Sequence, residues 1–79
     1  MTIDQSTIAL VITTLDDPRA ADEFSARLLA DGLVACVNLV GPVRSTYHWQ
    51  GELCRDEEYQ LHMKTSLERL DDLKDAIER

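Results

Sequence analysis

Residues 35–53 read ACVNLVGPVRSTYHWQGEL. Valine recurs at positions 37, 40 and 43, Thr46, Tyr47 and Trp49 follow, and Gly41-Pro42 interrupts the run. That lettering predicts a strand over Val34 to Val40, resumed from Val43 to Trp49. Gln50-Gly51 reads as a two-residue hairpin loop in which glycine supplies a positive φ. Tyr47 and Trp49 are two residues apart and so share a face. A strand over residues 34–49 would reach roughly 50 Å at ~3.3 Å per residue. A compact chain of this length has a radius of gyration of about 12 Å, and so a diameter of about 30 Å. The tip must overhang the core or curl strongly. An isolated two-stranded ribbon is marginal in water, and exposed aromatic area marks contact surfaces. The arm is therefore expected to meet another subunit.

The return strand, Leu53 to about Thr65, fixes the register. Tyr59, Leu61 and Met63 alternate with Gln60, His62 and Lys64, giving one apolar and one polar face. Simple pairing back from the turn would set Leu39 against His62 and Val37 against Lys64. One extra residue near Gly41-Pro42 would instead set Leu39 against Leu61 and Val37 against Met63. Like pairs with like in the second register, so a bulge is predicted there; proline, which cannot donate to a ladder, suits it.

Upstream, Ile8 to Thr14 (IALVITT) is a continuous β-rich run of the kind buried on both faces. Asp16-Asp17-Pro18 opens a helix, with an aspartate as N-cap acceptor and proline in the first turn. The helix is expected to run to about Asp31, to bury Ala21, Phe24, Leu28 and Leu29, and to stop at Gly32. Downstream, Ser66 is placed as the cap of a second helix with Leu67, Leu70, Leu73 and Ile77 as its stripe. The order β-α-β-β-α predicts an α+β chain: one ferredoxin-like split βαβ domain, residues 1–79, carrying a long hairpin arm. Right-handed crossovers set both helices on one sheet face, with Val37, Leu39, Leu61 and Met63 beneath them. Asn38, Gln60, His62 and Lys64 fall on the other, uncovered face. A last strand is missing from this pattern and belongs beside the first or between its neighbours, so the domain is expected to be incomplete at its C-terminal end.

The chain has 79 residues, 15 acidic and 8 basic, and a formal net charge of −7. That balance argues against nucleic acid or an anionic membrane as partner, since both need basic surface. No apolar run reaches the ~18 residues of a membrane span, and the acidic start with Asp4 does not read as a signal peptide. A cytoplasmic location is expected. Cys36 and Cys54 would lie roughly 30 Å apart along the ribbon, too far for a disulfide, and are expected to be free thiols.

No glycine-rich phosphate loop, nucleophile elbow or Ser/His/Asp grouping occurs, and Ser45 and His48 point to opposite faces. No catalytic residue is assigned. The anionic Leu15-Asp16-Asp17 after the first strand argues against a phosphate-binding hydrolase. A copper or zinc site needs three or four converging ligands, and no C-x-x-C or H-x-x-x-H spacing is present. Cys36 reads as a small core residue opposite Lys64. Cys36 or His62 becomes a candidate metal ligand only if an axis gathers three copies of it. Asp56-Glu57-Glu58 reads as a solvated edge, because strand neighbours point to opposite faces.

The segment LVACVNLVGPVRSTYHWQGEL, residues 33–53, resembles the CutA divalent-cation tolerance family. Its A-C-x-N core, its S-x-Y-x-W-x-G arm and the E-x-x-L-x-x-K-T strand ending at Lys64-Thr65 carry the likeness, with the L-L-A-D-G-L helix end in support. The resemblance implies a non-enzymatic ferredoxin-like homotrimer, similar in architecture to the PII signalling proteins. It implies arms that wrap neighbouring subunits, and a link to tolerance of copper and other divalent cations in the bacterial cytoplasm. Ser45, Tyr47, Trp49 and Gly51 become the inter-subunit arm. A PII-like sensor, with a small-ligand pocket between subunits near Tyr47 and Trp49, is the alternative. Family members continue with an H-P-Y-x-x-P segment, a fourth strand and a terminal helix that this chain lacks. Where some members carry a copper-linked cysteine at the end of the first strand, this chain has Thr13, so that ligand does not carry over.

Overall fold

The computed structural model describes residues 8–78. The polar start and Arg79 lie outside that range. Strand β1 (Ile8–Leu15) leads into helix α1 (Pro18–Ala30). Strands β2 (Cys36–Trp49) and β3 (Glu52–Ser66) form the hairpin, and a short 3-10 turn (Leu67–Arg69) opens helix α2 (Leu70–Glu78). The sheet order is β1-β3-β2 with both pairings antiparallel, so β3 is central. The α+β ferredoxin-like pattern expected from the sequence is present over these elements.

The caps of α1 follow from local chemistry. Asp17 is the N-cap, its Oδ1 accepting from the Arg19 N–H at 2.9 Å, and Pro18 occupies the first turn. At the other end Leu33 N–H donates to Leu28 O and Gly32 N–H to Leu29 O, at 3.0 and 3.1 Å. This is a Schellman closure, with Gly32 at φ +69°.

The predicted bulge is found. Leu39 pairs with Leu61 and Val37 with Met63, and the register shifts between Val40 and Val43. Gly41 there has φ +152° and is followed by a cis Gly41-Pro42 bond. The extra residue exchanges the two faces of β2. Before it, the odd residues Val37 and Leu39 face the helices with Leu61 and Met63. After it, Val43, Ser45, Tyr47 and Trp49 pair with Glu58, Asp56, Cys54 and Glu52, on the side of His62 and Lys64.

Ala21, Leu28, Val34, Leu61, Met63 and Leu73 form the buried core, with Val11, Leu15, Phe24, Leu33, Val37, Ala76 and Ile77 packed around it. Five expectations need correction. Leu29 is 47% exposed and Leu67 56% exposed. Leu67 belongs to a 3-10 turn, whose three-residue period rotates it off the stripe that Leu73 and Ile77 share. Ser66 ends β3 and makes no side-chain cap hydrogen bond. Leu39 keeps its expected register but is 40% exposed, at the margin of the helical cover. β1 alternates exposed and half-buried along its length, so within one chain it is covered on one face only.

Candidate functional site: the open sheet face and its arm

The uncovered face is built from the alternate residues of three strands. β1 contributes Ile8, Leu10 and Ile12, of which Leu10 and Ile12 are 58% and 52% exposed. β3 contributes Gln60, His62 and Lys64, and β2 contributes Cys36, Asn38 and Val40 opposite them. His62 lies between Ile12 and Asn38, and its Nε2 is 2.9 Å from Gln60 Oε1. Three large apolar side chains on one strand therefore stand beside a polar row, and among the described residues no second layer of chain lies over them.

The bulge carries this face out along the arm. Trp49 is 64% exposed and Tyr47 40% exposed. The turn beyond them has Gln50 at φ +51° and Gly51 at φ +80°, a two-residue loop with both centres left-handed. The molecule measures 44 × 24 × 22 Å with a radius of gyration of 14.2 Å, more extended than a compact chain of this length. The overhang predicted from strand length is real.

Tyr47 donates its hydroxyl hydrogen to Asp56 Oδ2 across the ribbon. Asp56 pairs in register with Ser45, so the bond is diagonal. Hydrogen bonding to the carboxylate, with the negative charge there, pushes the Tyr47 phenol up from 10.0 to about 12. Asp16, Asp56, Glu57 and Glu58 join Tyr47 around an open hollow of about 600 Å³. The sequence reading missed this hollow, because Asp16 follows β1, before α1 and far from the arm in the chain, and only the packed sheet brings it to the arm. A second hollow, about 440 Å³, lies away from the arm between the helices, against Leu15, Phe24, Leu28, Ala76 and Ile77. Arg27 lies over the Phe24 ring there, 5.7 Å from its centroid.

Cys36 pairs with Lys64 and Cys54 with Tyr47, and both are free and half-buried. Among the described residues, no group of three or more His, Cys, Asp or Glu is placed to hold a metal ion. Cys36 and His62 share a face without forming such a set. Ser45 and His48 pair with Asp56 and Leu53 on opposite faces, as expected. Among the described residues no helix is long and apolar enough to cross a membrane.

Residues 9–79 match the CutA1 divalent ion tolerance protein family. The divalent-cation tolerance protein CutA of Escherichia coli O45:K1 is 34% identical over 62 residues, covering 78% of this chain and 55% of that protein. The chain thus spans about half the length of the Escherichia coli relative. Among solved structures, the PII-like protein CutA from Nostoc superposes with a TM-score of 0.77 at 38% identity, over 86% of this chain and 64% of that one. The periplasmic divalent cation tolerance protein CutA from Archaeoglobus fulgidus superposes with a TM-score of 0.82 at 27% identity, over 89% and 68%. With the bulged arm, the split βαβ order and a family match over nearly its whole length, the chain belongs to the CutA1 divalent ion tolerance family.

Proposed function

We propose that this chain is the subunit of a non-enzymatic homotrimer that serves tolerance of divalent cations, copper among them. The observation that carries the reading is the open sheet face. Leu10 and Ile12 on β1 and Tyr47 and Trp49 on the arm are large, exposed and on the same side of the sheet, and exposed apolar surface of this kind marks a contact with another chain. Copies that lay these faces together would bury both the face and the overhanging arms. A closed symmetric assembly satisfies such a surface without leaving a sticky end. Ser45, Tyr47, Trp49 and Gly51 then act in assembly rather than in chemistry, Gly51 through the turn that aims the arm. Cytoplasmic residence belongs to the same proposal and is supported by the two free thiols.

A second reading is a PII-like sensor that takes a small ligand between subunits. The hollow beside Tyr47 supports it, since a neighbouring arm would turn an open depression into a closed one. Native mass spectrometry tests the assembly. Three chains of 8.9 kDa are expected to travel together, and Ile12→Asp to release single chains. A wild-type protein that stays a single chain at micromolar concentration would sink the proposal. Calorimetric titration of the assembled protein with Cu(II) then separates the readings: heat on adding the metal supports the cation role, and silence favours the sensor.

A further inference from the structure

We propose that the side of the arm turned away from the open face is a docking surface for an acidic, extended segment of a partner protein, with Arg44 and Arg55 as its anchors. The inference goes beyond the assembly reading. It concerns the opposite side of the ribbon and does not require three copies.

The bulge sorts the charges of the arm. From Val43 outward, one side carries Glu52, Asp56 and Glu58 among Ser45, Tyr47 and Trp49. The other side is built from three cross-strand pairs: Arg44 with Glu57, Thr46 with Arg55, and His48 with Leu53. All six of those residues are exposed. Every basic residue of the arm lies on this second side, and of its acidic residues only Glu57 does. In a chain with a formal net charge of −7, a face with two arginines and one carboxylate runs against the rest of the surface. Charges in salt solution are screened within about 10 Å, so the groups on this face, rather than the net charge of the chain, set what it attracts.

The geometry narrows the partner. Arg44 and Arg55 border one open hollow of about 380 Å³ beside Pro42 and Val43. Asp56 and Glu57 border it too, but the Asp56 carboxylate accepts from Tyr47 on the opposite side. Glu57 faces Arg44, whereas Arg55 has the neutral Thr46 across from it. The three pairs form successive levels about 7 Å apart, since each lies two strand residues from the next. An extended peptide presents the side chains of one of its faces at that same spacing. A segment with carboxylates at alternate positions would meet Arg44 and Arg55 in turn, each guanidinium able to donate two parallel hydrogen bonds. An apolar residue two positions further on would lie over Leu53, which is 55% exposed.

The experiment is amide chemical-shift mapping of the nitrogen-15-labelled full chain with the peptide acetyl-Glu-Ala-Glu-Ala-Leu-amide, and with its Gln-for-Glu counterpart as control. Saturable shifts are expected over residues 44–48 and 53–57 with the acidic peptide alone. The double variant Arg44→Gln/Arg55→Gln should weaken binding about tenfold, since two exposed ion pairs are lost. Glu57→Gln should strengthen it about twofold or more, because it removes the one competing carboxylate on the face; a merely structural role for Glu57 predicts no gain. No shifts in those segments, equal shifts with the control peptide, or weaker binding by Glu57→Gln would each overturn the inference. So would inorganic phosphate giving the same shifts at the same affinity, which would assign the face to bare anions. Peptide binding by a chain that stays single in solution would support this inference while the trimer reading fails.

Discussion

Tyr47 on β2 hydrogen-bonds Asp56 on β3, one step diagonally across the arm rather than directly across it. The bond ties the two strands together where the ribbon has left the core. It also turns the Tyr47 ring along the open face, toward the hollow that Asp16 and Glu58 help to form.

That bond is visible by titration. Tyr47 holds its proton to about pH 12 in the folded chain, against 10.0 for a free phenol. Its contribution to stability is complete below pH 10 and declines as pH rises from 10 toward 12, because the unfolded chain loses this proton first. Ultraviolet difference titration of wild type against Tyr47→Phe should place the Tyr47 ionisation at about 12. Asp56→Asn should return it toward 10, since the carboxylate is the main cause of the shift. A Tyr47 signal unchanged by Asp56→Asn would refute the assigned cause.

Gly41 admits no side chain. A Cβ there would lie 2.8 Å from Tyr59 Cδ1 and 3.1 Å from the Glu58 carbonyl oxygen, at φ +152°. Gly41→Ala should therefore cost about 1–3 kcal/mol. Because the strain falls at the bulge, the variant should also change how the arm leaves the sheet. Urea denaturation at matched protein concentration measures the first effect, and the amide chemical shifts of Val43 to Trp49 report the second.

The turn offers a gain. Gln50 sits at φ +51°, a region that asparagine and glycine tolerate better than most residues. Gln50→Asn is expected to raise stability by up to about 1 kcal/mol, by relieving left-handed strain. Gly51→Ala should lower it by about 1–2 kcal/mol from backbone strain alone, since nothing lies within 4 Å of an added Cβ. Thermal melts of both variants at one concentration check the opposite signs.

Thr65 closes the inner end of the hairpin. Its hydroxyl donates to the Leu33 carbonyl at 2.7 Å, and the residue is 2% exposed. Thr65→Val keeps the shape and leaves that carbonyl without its donor, which should cost about 1–3 kcal/mol. Ala35 N–H to Lys64 O, 2.8 Å, lies beside it, so faster hydrogen exchange at Ala35 is the local readout. Unchanged stability and exchange would show that the hydroxyl contributes nothing there.

The register of the long hairpin was legible in the order of residues. Leu39 and Val37 had one sensible set of partners, because a strand's two-residue period forces a choice between faces, and only an extra residue at Gly41-Pro42 made that choice consistent. The start of α1 was legible for a similar local reason: Asp17 and Pro18 act on groups one or two residues away. The overhang followed from length alone. Leu67 and Leu29 were misplaced because helical period says nothing about a 3-10 first turn or about how far a small sheet's cover reaches.

What the sequence determined by itself was thus what neighbours and period set: the order of elements, the caps of α1, the bulge and the family. The tertiary structure alone decided which residues of β1 lie on the bare side of the sheet. Ile8 to Leu15 reads as a strand apolar on both faces, and only the packing of both helices against one of them leaves Leu10 and Ile12 exposed beside His62. It alone also brought Asp16 to the arm and set Tyr47 against Asp56. The first is a contact between segments far apart in the chain; the second is a side-chain hydrogen bond within the hairpin that strand register alone does not specify.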